Sequence, residues 1–192
     1  MRKTLFMMLV AIVLFGCSGQ AQQQAQAVKW TPITQAVAAN PNQEKFYFID
    51  FSTSWCGWCK KMDNTTFADP VVVAILNKYF VPVKFNAEGS DNVMWNGNKY
   101  TAAPAAGGRP ATHPFTRAVL GKQIGYPSFA IFHGDQRLLT ILQGYQSAYD
   151  FSMVLWYIVN GDNVRYTFEK YQQIFDQQIK PDMMKKLGLK IG

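Results

Sequence analysis

Two cysteines three positions apart, Cys56 and Cys59, lie in Ser54-Trp55-Cys56-Gly57-Trp58-Cys59-Lys60, directly after the apolar run Phe46-Tyr47-Phe48-Ile49-Asp50-Phe51. Followed by a helical pattern, this placement puts Cys56 at a helix N-terminus and Cys59 one turn further on. The unpaired backbone N–H groups and the positive end of the helix dipole there favour a thiolate over a thiol. Side chains three apart share a helix face, so the two sulfurs can close a short disulfide. The chemistry this implies is thiol–disulfide exchange. Two other uses of the pair compete with it. Cys56 and Cys59 could be half of a zinc site with His113 and His133, although that spacing fits no common zinc module. Haem attachment requires His after the second cysteine, and Lys60 stands there.

The elements that must hold this pair are legible around it. Thr31-Pro32 opens a short helix to about Ala39, ended by Asn40-Pro41. From Lys45 to Phe51 the chain is apolar on both faces, which predicts a central strand covered on both sides. Asp50 is an acid on an otherwise phenylalanine-lined face of that strand. The cysteine helix runs to about Asn64. Asp69-Pro70 then reads as N-cap and first-turn proline of a helix with the stripe Val72, Ile75, Leu76, Tyr79. Phe80 to Asn86 is a second strand, so the order β, α, α, β suits a parallel pair joined by a crossover. From Ala87 to Thr112 the pattern dissolves into Gly, Asn, Ala and Pro and is expected to be a long surface loop. Pro114–Gly121 offers a short helix, and two strands, Ser128–Phe132 and Arg137–Leu142, flank a hairpin turn. Ser147 and Asp150 form a capping box for a helix to Asn160, and Gly161 stops it. A last helix, about Asn163 to Lys180, carries Val164, Phe168, Tyr171 and Phe175 on one face, with Pro181 as its end and a lysine-rich tail beyond.

The 192 residues are 48% hydrophobic and 15% aromatic, enough for one compact domain with a real core, and only 16% charged, which excludes a disordered chain. Three cysteines exclude a disulfide-stapled scaffold. The formal charge is +7, of which Arg2 and Lys3 supply two, leaving +5. That charge reads as a solvated surface with a lysine tail, and neither a basic helix nor an aromatic platform marks a nucleic-acid partner.

Arg2-Lys3 and the apolar stretch Leu5–Phe15 read as an export signal, since such a stretch is too short to span a bilayer of ~30 Å. Leu14-Phe15-Gly16-Cys17 resembles the lipobox of bacterial lipoproteins, where cleavage precedes a cysteine that is then acylated. Phe15 departs from the small or β-branched residue usual there. The alternative is an ordinary secretory signal cut near Ala25 or Ala27, with Cys17 discarded. Both lead outside the cytoplasm. The polar run Ser18–Gln26 suits a flexible tether.

The order of elements, with W-C-G-W-C-K after a buried strand and Tyr126-Pro127 before a hairpin, resembles the thioredoxin superfamily from about Val28 to Asn160. It is similar to exported thioredoxin-like lipoproteins and to the thioredoxin-like domain of the transmembrane disulfide reductase. The resemblance implies an α/β, three-layer fold with a central mixed sheet flanked by helices, an insertion at about 87–112 before the cis-Pro segment, and an extra C-terminal helix. It implies Cys56 as the exposed attacking thiolate, Cys59 as the buried resolving thiol, and a redox-active Cys56–Cys59 disulfide. Asp50 falls where the family has its buried carboxylate, Lys84 where it has the lysine partner, Pro127 where it has the cis-proline, and Gly144 at its usual glycine. A buried Asp50 would have a raised pKa and could take the proton from Cys59. Trp55, Gly57, Trp58 and Tyr126 would line the substrate groove. Read without the resemblance, Asp50 could be a strand-end acid bonded to backbone, Lys84 a surface lysine, Pro127 a trans turn proline and the tryptophans simple packing. Gly57-Trp58 departs from the Gly-Pro of cytosolic thioredoxin and from the His-containing pairs of strong oxidants.

The resulting expectation is a signal peptide over 1–16, a Gln-rich tether over 17–27, a thioredoxin-like domain over 28–180 and a basic tail over 181–192. Function is expected to be thiol–disulfide exchange in the cell envelope, with reduction favoured over oxidation or isomerisation because Gly57-Trp58 offers no charge to stabilise a reduced thiolate. No metal and no cofactor are expected. The expected partners are disulfide or dithiol envelope proteins, a membrane electron donor, and the lipid bilayer of a bacterial membrane through acylated Cys17, facing the periplasm. The alternative is a non-catalytic thioredoxin-like binding lipoprotein.

Overall fold

The run of alternating large apolar residues from Phe46 to Ser52 forms β1, and it lies inside the sheet with neighbours on both sides. The computed structural model describes residues 26–102 and 110–190. The expected signal, Cys17 and all but the last two residues of the tether lie outside these residues, as do 103–109 of the insertion.

The elements in order are α1 (Ile33–Ala36), β1 (Phe46–Ser52), α2 (Gly57–Asn64), α3 (Pro70–Tyr79), β2 (Phe80–Asn86), β3 (Val93–Trp95), β4 (Asn98–Tyr100), α4 (Pro114–Leu120), β5 (Ser128–Phe132), β6 (Leu138–Gln143), α5 (Ala148–Val159), α6 (Phe168–Ile174) and α7 (Lys180–Leu187). The main sheet has the order β2-β1-β5-β6, with β1 parallel to β2 and antiparallel to β5. Helices cover both faces of this mixed sheet, which is the thioredoxin-like α/β arrangement.

Strand alternation sorts the core into two layers. Phe48, Phe129 and Ile131 point to one side, into a cluster with Phe67 and the buried faces of α3 and α5; Phe48 stacks on Phe129 at 5.7 Å. Tyr47, Ile49, Phe51, Val83 and Phe85 point to the other, against Ile33, Ala36 and Phe115. The caps read from sequence hold. Asp69 accepts from the N–H groups of Val71 and Val72 at the start of α3, and Ser147 accepts from Asp150 N–H at the start of α5.

The insertion is not a plain surface loop. Asn96, at φ 47°, and Gly97, at φ 74°, form a tight turn between β3 and β4, a left-handed pair suited to a two-residue hairpin. Val93 and Trp95 are buried in the second layer, with the Trp95 ring 5.0 Å from those of both Tyr47 and Phe132. His113 fastens the far end of the insertion: its Nε2–H donates to Asp91 O at 2.8 Å, and its Nδ1 accepts from Phe115 N–H as the N-cap of α4.

Pro181 does not end the last helix. A π-helical turn, Phe175–Ile179, follows α6, and Pro181 then occupies the first turn of α7, where a missing N–H breaks no helical bond. Met183 and Met184 bury against the first layer, and Lys78 Nζ donates to Lys186 O at 2.8 Å. The expected basic tail is therefore helix to Leu187. Val164, expected on the buried stripe, is 83% exposed, because a 3-10 turn at Asp162–Val164 precedes α6 and breaks its phase.

Candidate active site

β1 ends at Ser52, and four residues later Cys56 caps α2 in an extended conformation. Its N–H donates to Thr53 O at 3.2 Å, and its Sγ accepts from Cys59 N–H at 3.0 Å. Cys56 and Cys59 are joined as a disulfide with their Cα atoms 5.3 Å apart. The first sulfur thus sits where free N–H groups and the helix dipole favour negative charge. Cys56 was expected to be the exposed member of the pair, but both cysteines are 4% exposed. The bond to Cys59 and the cap geometry fold its sulfur over the first turn of α2. Exposure therefore does not distinguish the two sulfurs in the oxidised form; they differ in that Cys56 Sγ accepts the Cys59 N–H. A Cβ added at Gly57 would meet nothing within 4 Å, so packing does not dictate glycine there.

Asp50 is 1% exposed, and the parallel register of β1 and β2 sets it beside Lys84. Lys84 Nζ stands 4.0 Å from Asp50 Oδ2, whereas Asp50 Oδ1 has no hydrogen-bond partner. The ammonium bonds instead to Asp63 of α2, a residue the sequence reading missed. Asp63 follows Cys59 by four positions, so it shares that helix face. Burial raises the Asp50 carboxyl to about 7; the Lys84 charge opposes this and the Asp63 charge adds to it. A cleft of about 470 Å³ links the two halves of the site, with Cys59, Asp63, Lys84 and Asn86 in its wall.

An aromatic rim surrounds the disulfide. Trp55 and Trp58 are 66% and 55% exposed, so neither is core packing. Trp55 meets Tyr126 edge-on at 5.8 Å and donates its indole N–H to Glu88 at 2.9 Å. Trp58 lies 5.5 Å from Tyr145, and Lys61 Nζ rests over both rings, at 4.8 and 4.9 Å. Glu88, Lys61 and Tyr145 carried no sequence signal. The Tyr126-Pro127 bond is cis, and Gly144, at φ 87°, donates its N–H to Pro127 O at 2.9 Å. The structure thus brings together the expected residues Cys56 and Cys59, Asp50 and Lys84, and Trp55 and Tyr126. His113, a potential metal donor in the competing reading, uses both ring nitrogens on backbone groups, and His133 packs on Phe46 at 5.8 Å. Among the described residues no three His, Cys, Asp or Glu side chains are grouped as a metal site.

The family model Thioredox_DsbH, described as a protein of unknown function, DUF255, matches residues 19–130, more than half of the chain. The chain belongs to the Thioredox_DsbH family. With the Cys56–Cys59 disulfide in place, that makes it a member of a thioredoxin-like disulfide oxidoreductase family. Among solved structures it is similar to a thioredoxin from Thermus thermophilus, at 18% identity and a TM-score of 0.52, covering 73% of this chain and 95% of that one. It is also similar to a proposed disulphide-isomerase from Bacteroides thetaiotaomicron, at 20% identity and a TM-score of 0.51, covering 70% of this chain and 94% of that one. At such identities the likeness shows the thioredoxin fold for this Thioredox_DsbH member. No curated protein matches the chain.

Proposed function

We propose that this protein is a reductase of the cell envelope, tethered to a bacterial membrane through acylated Cys17 and passing electrons from a membrane donor to disulfides in envelope proteins. The observation that carries the exchange chemistry is Cys56 Sγ capping α2 while bonded to Cys59.

In the reduced form the Cys56 thiolate attacks one sulfur of a client disulfide. A Cys56–client bond forms, the client S–S bond breaks, and the other client sulfur leaves as a thiolate. Cys59 then gives its proton to Asp50 and attacks Cys56 Sγ. The Cys56–Cys59 bond forms and the second client sulfur leaves with its electron pair, so the client gains the two electrons the dithiol loses. Having Cys59 already in place makes the second attack intramolecular, which is the larger advantage over a free thiol. The reductive direction is supported by the absence of a charged residue between the cysteines. Lys61, on the same helix, rests on Trp58 and Tyr145. Less stabilisation of the reduced thiolate means a less oxidising couple.

Two measurements test this. The Cys59→Ala chain in a native envelope should accumulate clients as mixed disulfides on Cys56, and Cys56→Ala should trap none; trapping through Cys59 alone would reverse the two roles. Equilibration of the chain with glutathione should give a potential nearer about −270 mV than about −120 mV, and the second value would make it an oxidant.

A further inference from the structure

One ammonium serves two carboxylates beside the disulfide. Lys84 Nζ bonds to Asp63 and stands 4.0 Å from Asp50 Oδ2, leaving Asp50 Oδ1 without a partner. The lysine and Asp63 side chains are 34% and 38% exposed, against 2% for Asp50. Pairing with Asp63 leaves the ammonium partly in water, whereas closing on Asp50 would strip that water away. Among the described residues, the charges that bear on Asp50 are those of Lys84 and Asp63. Its β5 partner is Phe129, and the other ionisable side chains in the cleft wall are Cys59 and Lys60.

We propose that Asp63 is a positioning residue that holds the Lys84 ammonium off Asp50, so that Asp50 stays basic enough to take and return the Cys59 proton, Asp63 and Lys84 standing in the wall of the same cleft as Cys59. This rests on the exchange reading above. The step served is the second one: the Cys59 proton goes to Asp50, the Cys59 thiolate forms the bond to Cys56, and the client sulfur departs with the electron pair. An Asp50 held tightly by Lys84 would be a weaker base for that proton. Asp63 stands on the same helix as Cys59, so one element sets both the resolving thiol and the counter-charge that keeps its acceptor basic. The raised Asp50 carboxyl agrees with this arrangement.

The test uses the full chain with ¹³C-labelled aspartate carboxyls, as wild type, Asp63→Asn, Asp63→Glu, Lys84→Met and the Asp63→Asn/Lys84→Met double variant. Two readouts are taken: the Asp50 titration in the oxidised form, and the pH profile of client-thiol release from a preformed Cys56 mixed disulfide. Asp63→Asn should lower the Asp50 midpoint and the acid limb of the release profile together, by about one pH unit. Asp63→Glu should restore both. With Lys84 replaced by Met, the further shift caused by Asp63→Asn should fall to less than half. An unmoved Asp50 midpoint, or a full shift without Lys84, overturns the proposal. A moved midpoint with an unmoved release profile would overturn the part concerning Cys59. The titration needs no client, so a chain that forms no mixed disulfide would sink the exchange reading while the placement of Lys84 was still decided.

Discussion

Replacing Asp50 by Asn isolates what its burial costs. The carboxyl rises from an ordinary 3.8 to about 7 in the folded chain. Between those values the folded state keeps a proton that the unfolded state has released. Stability of the wild-type chain therefore falls as pH rises through this window, and above it a constant penalty remains. Each pH unit of the window contributes about 1.4 kcal/mol, so the penalty reaches about 4 kcal/mol, a large share of the roughly 5–15 kcal/mol that domains of this kind possess. Asn cannot ionise, so the stability of Asp50→Asn minus that of wild type should grow by about 1.4 kcal/mol per pH unit from ~pH 4 to ~pH 7 and then level off. Any fixed effect of the amide on packing cancels in that pH dependence. Urea unfolding of the oxidised chains, followed by tryptophan fluorescence across the window, measures the difference. A difference that changed by less than ~1 kcal/mol over the whole range would refute the claim that Asp50 is buried with its charge poorly compensated.

Trp95→Ala should cost ~3 kcal/mol or more in urea unfolding, because the indole is 4% exposed among Tyr47, Phe115 and Phe132. A loss under ~1 kcal/mol would make the β3–β4 hairpin peripheral. Gly134→Ala should destabilise the chain by ~1–3 kcal/mol, since its Cβ would lie 1.9 Å from the backbone oxygen of Gln43. Gly57→Ala, with open space around the added Cβ, should stay within ~1 kcal/mol in the same assay; equal losses at the two glycines would show that close approach is not what governs them.

Most of the fold could be read along the chain because its signals are local. Strand alternation at 46–51, the Asp69-Pro70 cap and the Ser147 cap each specify an element within a few residues of themselves. The Asn96-Gly97 signal was present too, but its flanking strands are three residues each, too short to show a period. Pro181 misled for the opposite reason. A proline is tolerated in a first turn as readily as it follows a last one, and only the packing of Met183 and Met184 decides which applies.

The candidate site divides the same way. The sequence by itself determined the dithiol chemistry, since the spacing of Cys56 and Cys59 on a helix start brings the sulfurs together whatever the rest of the chain does. Tertiary structure alone decided how the surrounding charges are shared. Asp50 and Lys84 are 34 residues apart and meet by parallel register, and Asp63 takes the lysine because it reaches the same ammonium from α2. Coulomb energy and desolvation depend on distances through space, and for side chains on different elements those distances exist only once sheet and helix have packed.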